Sequence, residues 1–331
     1  MRKKHRVRNA IIIAAVVLIA LYIILVNFLV SAALVPDFMK KLDAFESITR
    51  TGYAQQVKTD DIILNHRELV KAAGEWEKEN EPEIIYAVTE DGFKLDAAMF
   101  RHEGNTGREN SKRVLLLHGY TGWKEEMYPY AMRYYESGYD VIVPDLRCQG
   151  QSEGDFIGMG WTDHFDCMLW LERILDEDPE ARIVIHGQSM GAAAALMMTG
   201  EESLPENVKA VISDCSYTDA YSMFEDKIKE WFNLPAFPLV DSACIMLRLR
   251  GGYDLMKASA LEAVKKSSTP TLFIHGIRDK MISCHMSELL YEAETAPKEI
   301  FLAEGAGHAQ AVDKDPEKYF ETIERFVENY L

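Results

Sequence analysis

Ser189 is the residue in this chain of 331 residues best placed to do chemistry, because it centres the run Gly187-Gln188-Ser189-Met190-Gly191. An apolar stretch, residues 182–186, leads into that run, and the small, helix-forming residues 192–196 lead out. A G-x-S-x-G pentapeptide between a strand and a helix is the pattern of a nucleophile elbow. The glycines two residues either side of the serine have a physical reason, since a turn this tight strains the serine backbone and leaves no room for a flanking Cβ. The serine hydroxyl is then held clear of the sheet, with the Met190 N–H beside it at a helix N-terminus. The same pentapeptide also fits an ordinary βα turn, so the rest of the chain must supply the partners.

A serine hydroxyl becomes a nucleophile only with a base in reach, and the base needs an orienting acid. Residues 271–275, Thr-Leu-Phe-Ile-His, read as a buried strand, and Gly276-Ile277-Arg278-Asp279 follows, which puts Asp279 on the loop leaving it. Residues 299–302 read as a last strand, and Gly305-Ala306-Gly307-His308 opens the next loop. Upstream, the apolar run 113–117 enters His118-Gly119-Tyr120, a glycine turn that could aim the Tyr120 N–H at an oxyanion. Such a set would carry out acyl transfer to water: Ser189 attacks, His308 takes the proton, Asp279 holds the imidazole, and the N–H groups of Met190 and Tyr120 receive the developing charge.

With these residues in view the region from residue 83 to the C-terminus resembles the α/β-hydrolase superfamily, in which the triad runs serine, acid, histidine along the chain. Within it the chain is similar to the serine hydrolases of the YqkD-like and serine-aminopeptidase-like groups. The resemblance rests on His118-Gly119-Tyr120-Thr121-Gly122, on Asp145-Leu146-Arg147-Cys148-Gln149-Gly150-Gln151-Ser152, on the elbow, and on the Asp279 and His308 loops. Cys148 stands where such loops usually have glycine, and Met281, Ile282 and Ser283 replace a common Val-Pro pair; both departures bear on loop shape and remove no catalytic atom. The resemblance implies a mostly parallel sheet with helices on both faces and a small helical lid inserted after the sixth strand. It also offers Asp214 as a rival acid, with Asp279 preferred for its Gly-x-x-Asp setting. Asp145 and Arg147 are expected to form an ion pair that braces their loop.

The N-terminus carries a separate signal. Residues 10–35 are almost unbroken apolar sequence, interrupted by Tyr22, Asn27 and Ser31 and preceded by Arg2, Lys3, Lys4, Arg6 and Arg8. About 20 such residues cross a bilayer as a helix, whereas signal-peptide apolar cores run to about 7–15. A retained anchor is expected, with cleavage near Ser31-Ala32-Ala33 as the alternative. The basic stub, residues 1–9, then lies in the cytoplasm by the positive-inside rule and the body outside, as a single-pass protein of the cell membrane. The formal charge is −17, and without the five basic residues of the stub it is −22. A body so acidic repels polyanions, which argues against nucleic acid as a partner and, more mildly, against a flat anionic membrane surface. The five cysteines, Cys148, Cys167, Cys215, Cys244 and Cys284, are scattered and read as buried small apolar residues rather than a disulfide framework.

Residues 36–81 read as a linker and charged helix, a stalk or a segment packed on the body, with Asp60 or Asp61 as cap and Ile62, Ile63, Leu69, Val70 and Trp76 as its apolar side. Residues 82–331 form the catalytic domain. It opens with a hairpin around Glu90-Asp91-Gly92, and from residue 113 onward strands and helices alternate. The insert at about 216–266 carries Tyr221, Phe224, Trp231 and Phe232 at helical spacing, either plain core that glues the insert to the body or an apolar wall for a small-molecule acyl substrate. No H-E-x-x-H, paired C-x-x-C or Walker pattern occurs, so no metal or cofactor is expected. The function expected is an ester hydrolase, with peptide or thioester cleavage open to the same triad, and a non-catalytic binding protein on the same fold as the rival of another class.

Overall fold

The computed structural model describes residues 2–41, 56–105 and 111–331. In chain order the helices and strands are α1 (Arg2–Leu34), α2 (Pro36–Met39), α3 (Asp60–Glu79), β1 (Glu83–Val88), β2 (Lys94–Phe100), β3 (Lys112–Leu117), α4 (Tyr128–Glu136), β4 (Asp140–Pro144), α5 (Trp161–Glu177), β5 (Arg182–Gln188), α6 (Met190–Thr199) and β6 (Val208–Asp214). They continue as α7 (Ala220–Phe232), α8 (Leu239–Gly251), α9 (Ala260–Val264), β7 (Thr271–Gly276), α10 (Cys284–Ala293), β8 (Lys298–Ala303), α11 (Ala311–Lys314) and α12 (Pro316–Glu328).

The eight strands form one sheet in the order β1-β2-β4-β3-β5-β6-β7-β8. The β1–β2 and β2–β4 pairings are antiparallel and the other five are parallel. Side chains alternate across the sheet with the two-residue period of a strand. Leu115, Leu117, Ile183 and Ile185 enter one apolar layer with Trp170, Leu196 and Leu290, whereas Val114, Leu116 and Val184 enter the other with Tyr130, Tyr319 and Phe326. Both faces are therefore covered, which is why the central strands read as continuous apolar runs. Parallel strands bring their C-terminal ends to one edge, and the loops after β3, β5, β6, β7 and β8 all leave from it. Those loops hold Tyr120, Ser189, Cys215, Asp279 and His308.

The N-terminal elements join this body. On α1, Val26, Val30 and Leu34 lie one turn apart and are buried. The Leu34 carbonyl accepts the Ile157 N–H at 2.9 Å, and Tyr22 Oη lies 2.9 Å from Ser242 Oγ on α8. Helix α3 buries Ile62 and Ala73 and stacks Trp76 on Phe100 and Tyr135. Ile63 and Val70 stay exposed and border the cavity that opens at Ser189, while Ile62, Leu69, Ala73 and Trp76 turn toward the body. Its N-cap is Thr59, with Asp60 and Asp61 in the first turn, where they favour the helix dipole without capping it.

The brace expected between Asp145 and Arg147 is made with other partners. Arg147 binds Asp166 at 2.7 Å and Asp91 at 2.5 Å. Asp145 accepts the ammonium of buried Lys124 at 2.8 Å together with the N–H groups of Lys124 and Gln151, and Lys124 also meets Asp96 at 2.6 Å. Side chains two apart on an extended loop diverge, so each finds its partner across the fold. Burial opposes the charge on Lys124, but the two carboxylates outweigh it and raise its pKa. Lys124→Met should leave both carboxylates uncompensated and cost about 3 to 5 kcal/mol, read as a fall in the midpoint of denaturant unfolding; a change under 1 kcal/mol would mean that water replaces the ammonium.

Candidate active site

The elbow is set by collisions that only glycine avoids. A Cβ on Gly187 would lie 2.3 Å from the Gly191 carbonyl oxygen, and one on Gly191 would lie 2.2 Å from the Leu117 carbonyl oxygen. Ser189 between them has φ 54° and ψ −115°, a conformation that L-residues rarely adopt. Its backbone N–H donates to the Asp214 carbonyl at 2.7 Å, which ties the turn to the neighbouring strand.

Ser189, Asp279 and His308 come together although they are far apart in sequence. Ser189 Oγ is 3.0 Å from His308 Nε2, and His308 Nδ1 is 2.7 Å from Asp279 Oδ2. Ser189 and His308 are 8% and 5% exposed, so the relay is nearly dry yet open to a ligand on one side. Asp279 also receives His275 Nε2 at 3.0 Å and the N–H groups of Met281 and Ile282 at 2.7 and 2.9 Å. Burial by itself would raise the Asp279 pKa, but the charge of His308 and the hydrogen bonds from both imidazoles hold it well below the ordinary carboxylate range. A carboxyl so depressed stabilises the fold above its unfolded value near pH 4 and loses that contribution as pH falls toward its native value.

The rival acid is placed differently. Asp214 Oδ2 accepts the Tyr319 hydroxyl at 2.8 Å, and burial pushes its carboxyl up to about 6. Among the described residues its other oxygen has no hydrogen-bond partner. Cys215, Asp279 and His308 cluster closely enough to suggest a metal. Burial holds the Cys215 thiol far above its usual pKa, and both sides of the His308 ring are engaged within the relay. The cluster belongs to the relay.

Gly119 sits against the serine, the position of its missing Cβ being 3.4 Å from Ser189 Cβ. Next to it, His118 fixes the loop: Nε2 accepts the Leu146 N–H at 2.9 Å and Nδ1 lies 2.8 Å from the Gly119 carbonyl. Burial lowers the His118 pKa to about 4 and keeps the imidazole neutral, and one donor and one acceptor nitrogen suit this pair of contacts. Met190 opens α6, where backbone N–H groups lack intrahelical acceptors. Cys148, in the place of the usual glycine, has φ 65°, so the loop keeps its left-handed turn with a side chain present. Its Sγ reaches the Gly154 carbonyl at 3.1 Å.

A cavity of about 1400 Å³ opens at Ser189 and His308. Its walls come from Pro36 and Met39, from Val57, from the α3 residues Ile62, Leu69 and Ala73, and from the loop 119–126. Tyr221 and Phe224 do not line it: α7 packs them toward α8 and the apolar layer under the insert, and Tyr221 Oη meets Asp241 at 3.3 Å. The side chains of Trp231 and Phe232 lie outside the described residues. The apolar wall is thus built, among the described residues, by the N-terminal segment. Gln310 anchors that segment by bonding both the N–H and the carbonyl of Val57 at 3.1 Å. Glu126 also lines the cavity, with burial and the neighbouring Glu125 charge raising its carboxyl to about 7. No sequence pattern marked Val57, Glu126 or Gln310.

A mostly parallel sheet with a strained serine turn, a histidine loop and an acid loop at one edge is the architecture of the α/β-hydrolase fold, and this chain has that fold. Residues 112–241 match the family model described as the alpha/beta hydrolase fold. The protein YqkD of Bacillus subtilis is 29% identical over 217 residues, covering 65% of this chain and 71% of that protein. Among solved structures, an esterase of Pyrococcus furiosus, Pf2001, superposes with a TM-score of 0.61 at 21% identity over 77% of this chain and 95% of its own. An acylaminoacyl peptidase of Pyrococcus horikoshii gives 0.59 at 20% identity, over 78% of this chain and 43% of its own.

Gly191→Ala should push α6 away from β3 and cost at least about 1 to 3 kcal/mol through overpacking. Thermal unfolding checks this, and an unchanged melting temperature would mean that the elbow has slack the geometry does not show.

Proposed function

We propose that this chain is a membrane-anchored, extracytoplasmic serine hydrolase that cleaves a carboxylic ester through an acyl-enzyme on Ser189. The observation that carries the reading is the continuous relay from Asp279 through His308 to Ser189 Oγ. In the reaction, His308 Nε2 takes the hydroxyl proton as Ser189 attacks the carbonyl carbon, and Asp279 fixes the tautomer and stabilises the imidazolium. The N–H groups of Met190 and Tyr120 receive the negative charge on the oxygen, each worth roughly 3 to 4 kcal/mol in a comparable site. The imidazolium returns its proton to the departing alkoxide, and a water activated by the same histidine releases the acyl group.

Asp279 is favoured over Asp214 because its carboxylate is ionised, doubly anchored by backbone N–H groups and in contact with the imidazole. Asp214 is committed to Tyr319. The similarity to Pf2001 spans almost all of that esterase, and the peptidase matches this chain over the same extent, so a peptide bond stays the second reading. The apolar segments Pro36, Met39 and Ile62 supply surface for an acyl chain at about 0.8 kcal/mol per buried CH₂.

The anchor reading rests on α1. Its apolar span, residues 4–34, has a mean hydropathy of 3.0 in its most apolar window, with 6% of that window buried. The residues at the possible cleavage point are tied into the body: Ser31 and Ala32 are buried and the Ala33 carbonyl accepts the Tyr120 hydroxyl. Retention of the segment keeps those contacts.

Ser189→Ala should abolish p-nitrophenyl ester hydrolysis and labelling by a fluorophosphonate probe while leaving unfolding unchanged; activity near the parent's would overturn the triad. Asp279→Asn should lower kcat by about 10⁴, the size seen when a triad acid is neutralised, and Asp214→Asn by less than tenfold. The reverse order of these two losses would move the acid to Asp214.

A further inference from the structure

Helix α8 and the loop before it carry apolar side chains that the protein leaves uncovered. In the loop, Leu234 and Phe237 are exposed, Phe237 at 74%; on α8, Ile245 and Leu249 are exposed, Leu249 at 78%. Residues 234–238 read Leu-Pro-Ala-Phe-Pro and contain no charge.

The helix alongside is α1. Helix α8 lies along the C-terminal half of α1: Tyr22 Oη is 3.2 Å from the Pro238 carbonyl and 2.9 Å from Ser242 Oγ, and Arg250 reaches Ser31 Oγ at 2.8 Å and the Asn27 carbonyl at 3.4 Å. The N-terminal end of α8 therefore sits at the level of Tyr22, and its arginine end at Asn27 to Ser31.

Helix length then fixes the depth. The basic residues of α1 end at Arg8, and apart from the Tyr22 contact its apolar surface stays exposed as far as Leu25. Residues 10–25 rise about 24 Å at 1.5 Å per residue, less than a hydrocarbon core of about 30 Å. Crossing takes about 20 residues, to roughly Leu29, and tilt only lengthens the requirement. Tyr22 then lies about 10 Å inside the outer edge of the hydrocarbon, and the loop touching it lies there too.

We propose that residues 234–238 and the outer face of α8 are immersed in the outer leaflet of the lipid bilayer that α1 crosses, so that the insert beside the site is a membrane-docking element. The inference rests on the reading of α1 as a retained anchor. The polar groups of α8 are arranged for that setting. Asp241 turns inward to Tyr221, Ser242 is engaged by Tyr22, and Arg248 pairs with Asp254. Arg248 and Arg250 stand at the end of α8 nearest the lipid headgroups, where basic side chains are favoured. The cavity is lined by Pro36 and Met39, directly after α1, which places one of its walls on the side of the site from which α1 leaves.

The test uses the full chain reconstituted into phosphatidylcholine–phosphatidylglycerol vesicles. Phe237→Trp, and Ile245→Trp as a second variant, each add a tryptophan at an exposed position. The emission that each adds over the parent protein should fall at least twofold when the phosphatidylcholine carries bromine at carbons 6 and 7 of one acyl chain. Protein that floats with the vesicles while neither added tryptophan is quenched would overturn the lid immersion and leave the anchor intact. Protein that fails to float with the vesicles would overturn the anchor reading and the immersion with it.

Discussion

The close backbone approach of α6 to the end of β3 is the constraint on which the site depends. Gly191 lies against the Leu117 and His118 carbonyls, and Gly187 against Gly191, at distances no side chain tolerates. This contact brings the turn after β3 beside Ser189, so that the backbone of Tyr120 and the first N–H of α6 border the same space. Helix α6 is buried along its whole length, which is why it is built from alanine, methionine and leucine with no polar face. The same device recurs at the far side of the site. A Cβ on Gly276 would meet the Gly307 carbonyl oxygen at 2.3 Å, so the acid and histidine loops are locked together as tightly as the elbow. Two glycine contacts thus fix the spacing of the relay, and the strain at Ser189, worth of order 1 to 3 kcal/mol, is held by the surrounding hydrogen bonds.

Burial gives two similar carboxyls opposite characters. Asp214 and Asp279 both leave parallel strands at the same edge, and desolvation raises both. Only Asp279 has two imidazoles and two backbone N–H groups aimed at it, enough to keep it ionised in the interior. Asp214 has one phenolic hydroxyl, and its carboxyl rises accordingly. An acid that must stabilise an imidazolium needs the first environment.

The segment preceding the sheet belongs to the site. Helix α3 and the residues after α1 close the cavity over Ser189, and Tyr120, whose backbone borders the reacting position, donates its hydroxyl to the end of α1. The end of α1 and the turn beside Ser189 are therefore joined directly.

The elbow, both loop residues of the relay and the apolar length of α1 were legible in the sequence because each is a local property: glycines spaced around a serine, a short polar loop after an apolar run, and a long uncharged stretch. The left-handed turn at Cys148 was not, since nothing in its type announces it; the hydrogen bonds of the loop impose it. Whether Tyr221 and Phe224 are core or wall was not legible for a similar reason. Tyr221 and Phe224 have the right chemistry and spacing for a wall, but which side of α7 meets the cavity depends on α8 and α1 packing beside it. Val57, Gln310 and Glu126 reach the site from three separate segments and share no spacing. Likewise Lys124 answers Asp145 and Asp96 from a different loop, while Arg147 turns to Asp91 and Asp166. Local sequence decides which backbone turns and periodic faces can exist, because those follow from sterics within a few residues. Which charge meets which, and what roofs the serine, is decided by long-range packing, in which every partner competes for the same buried space.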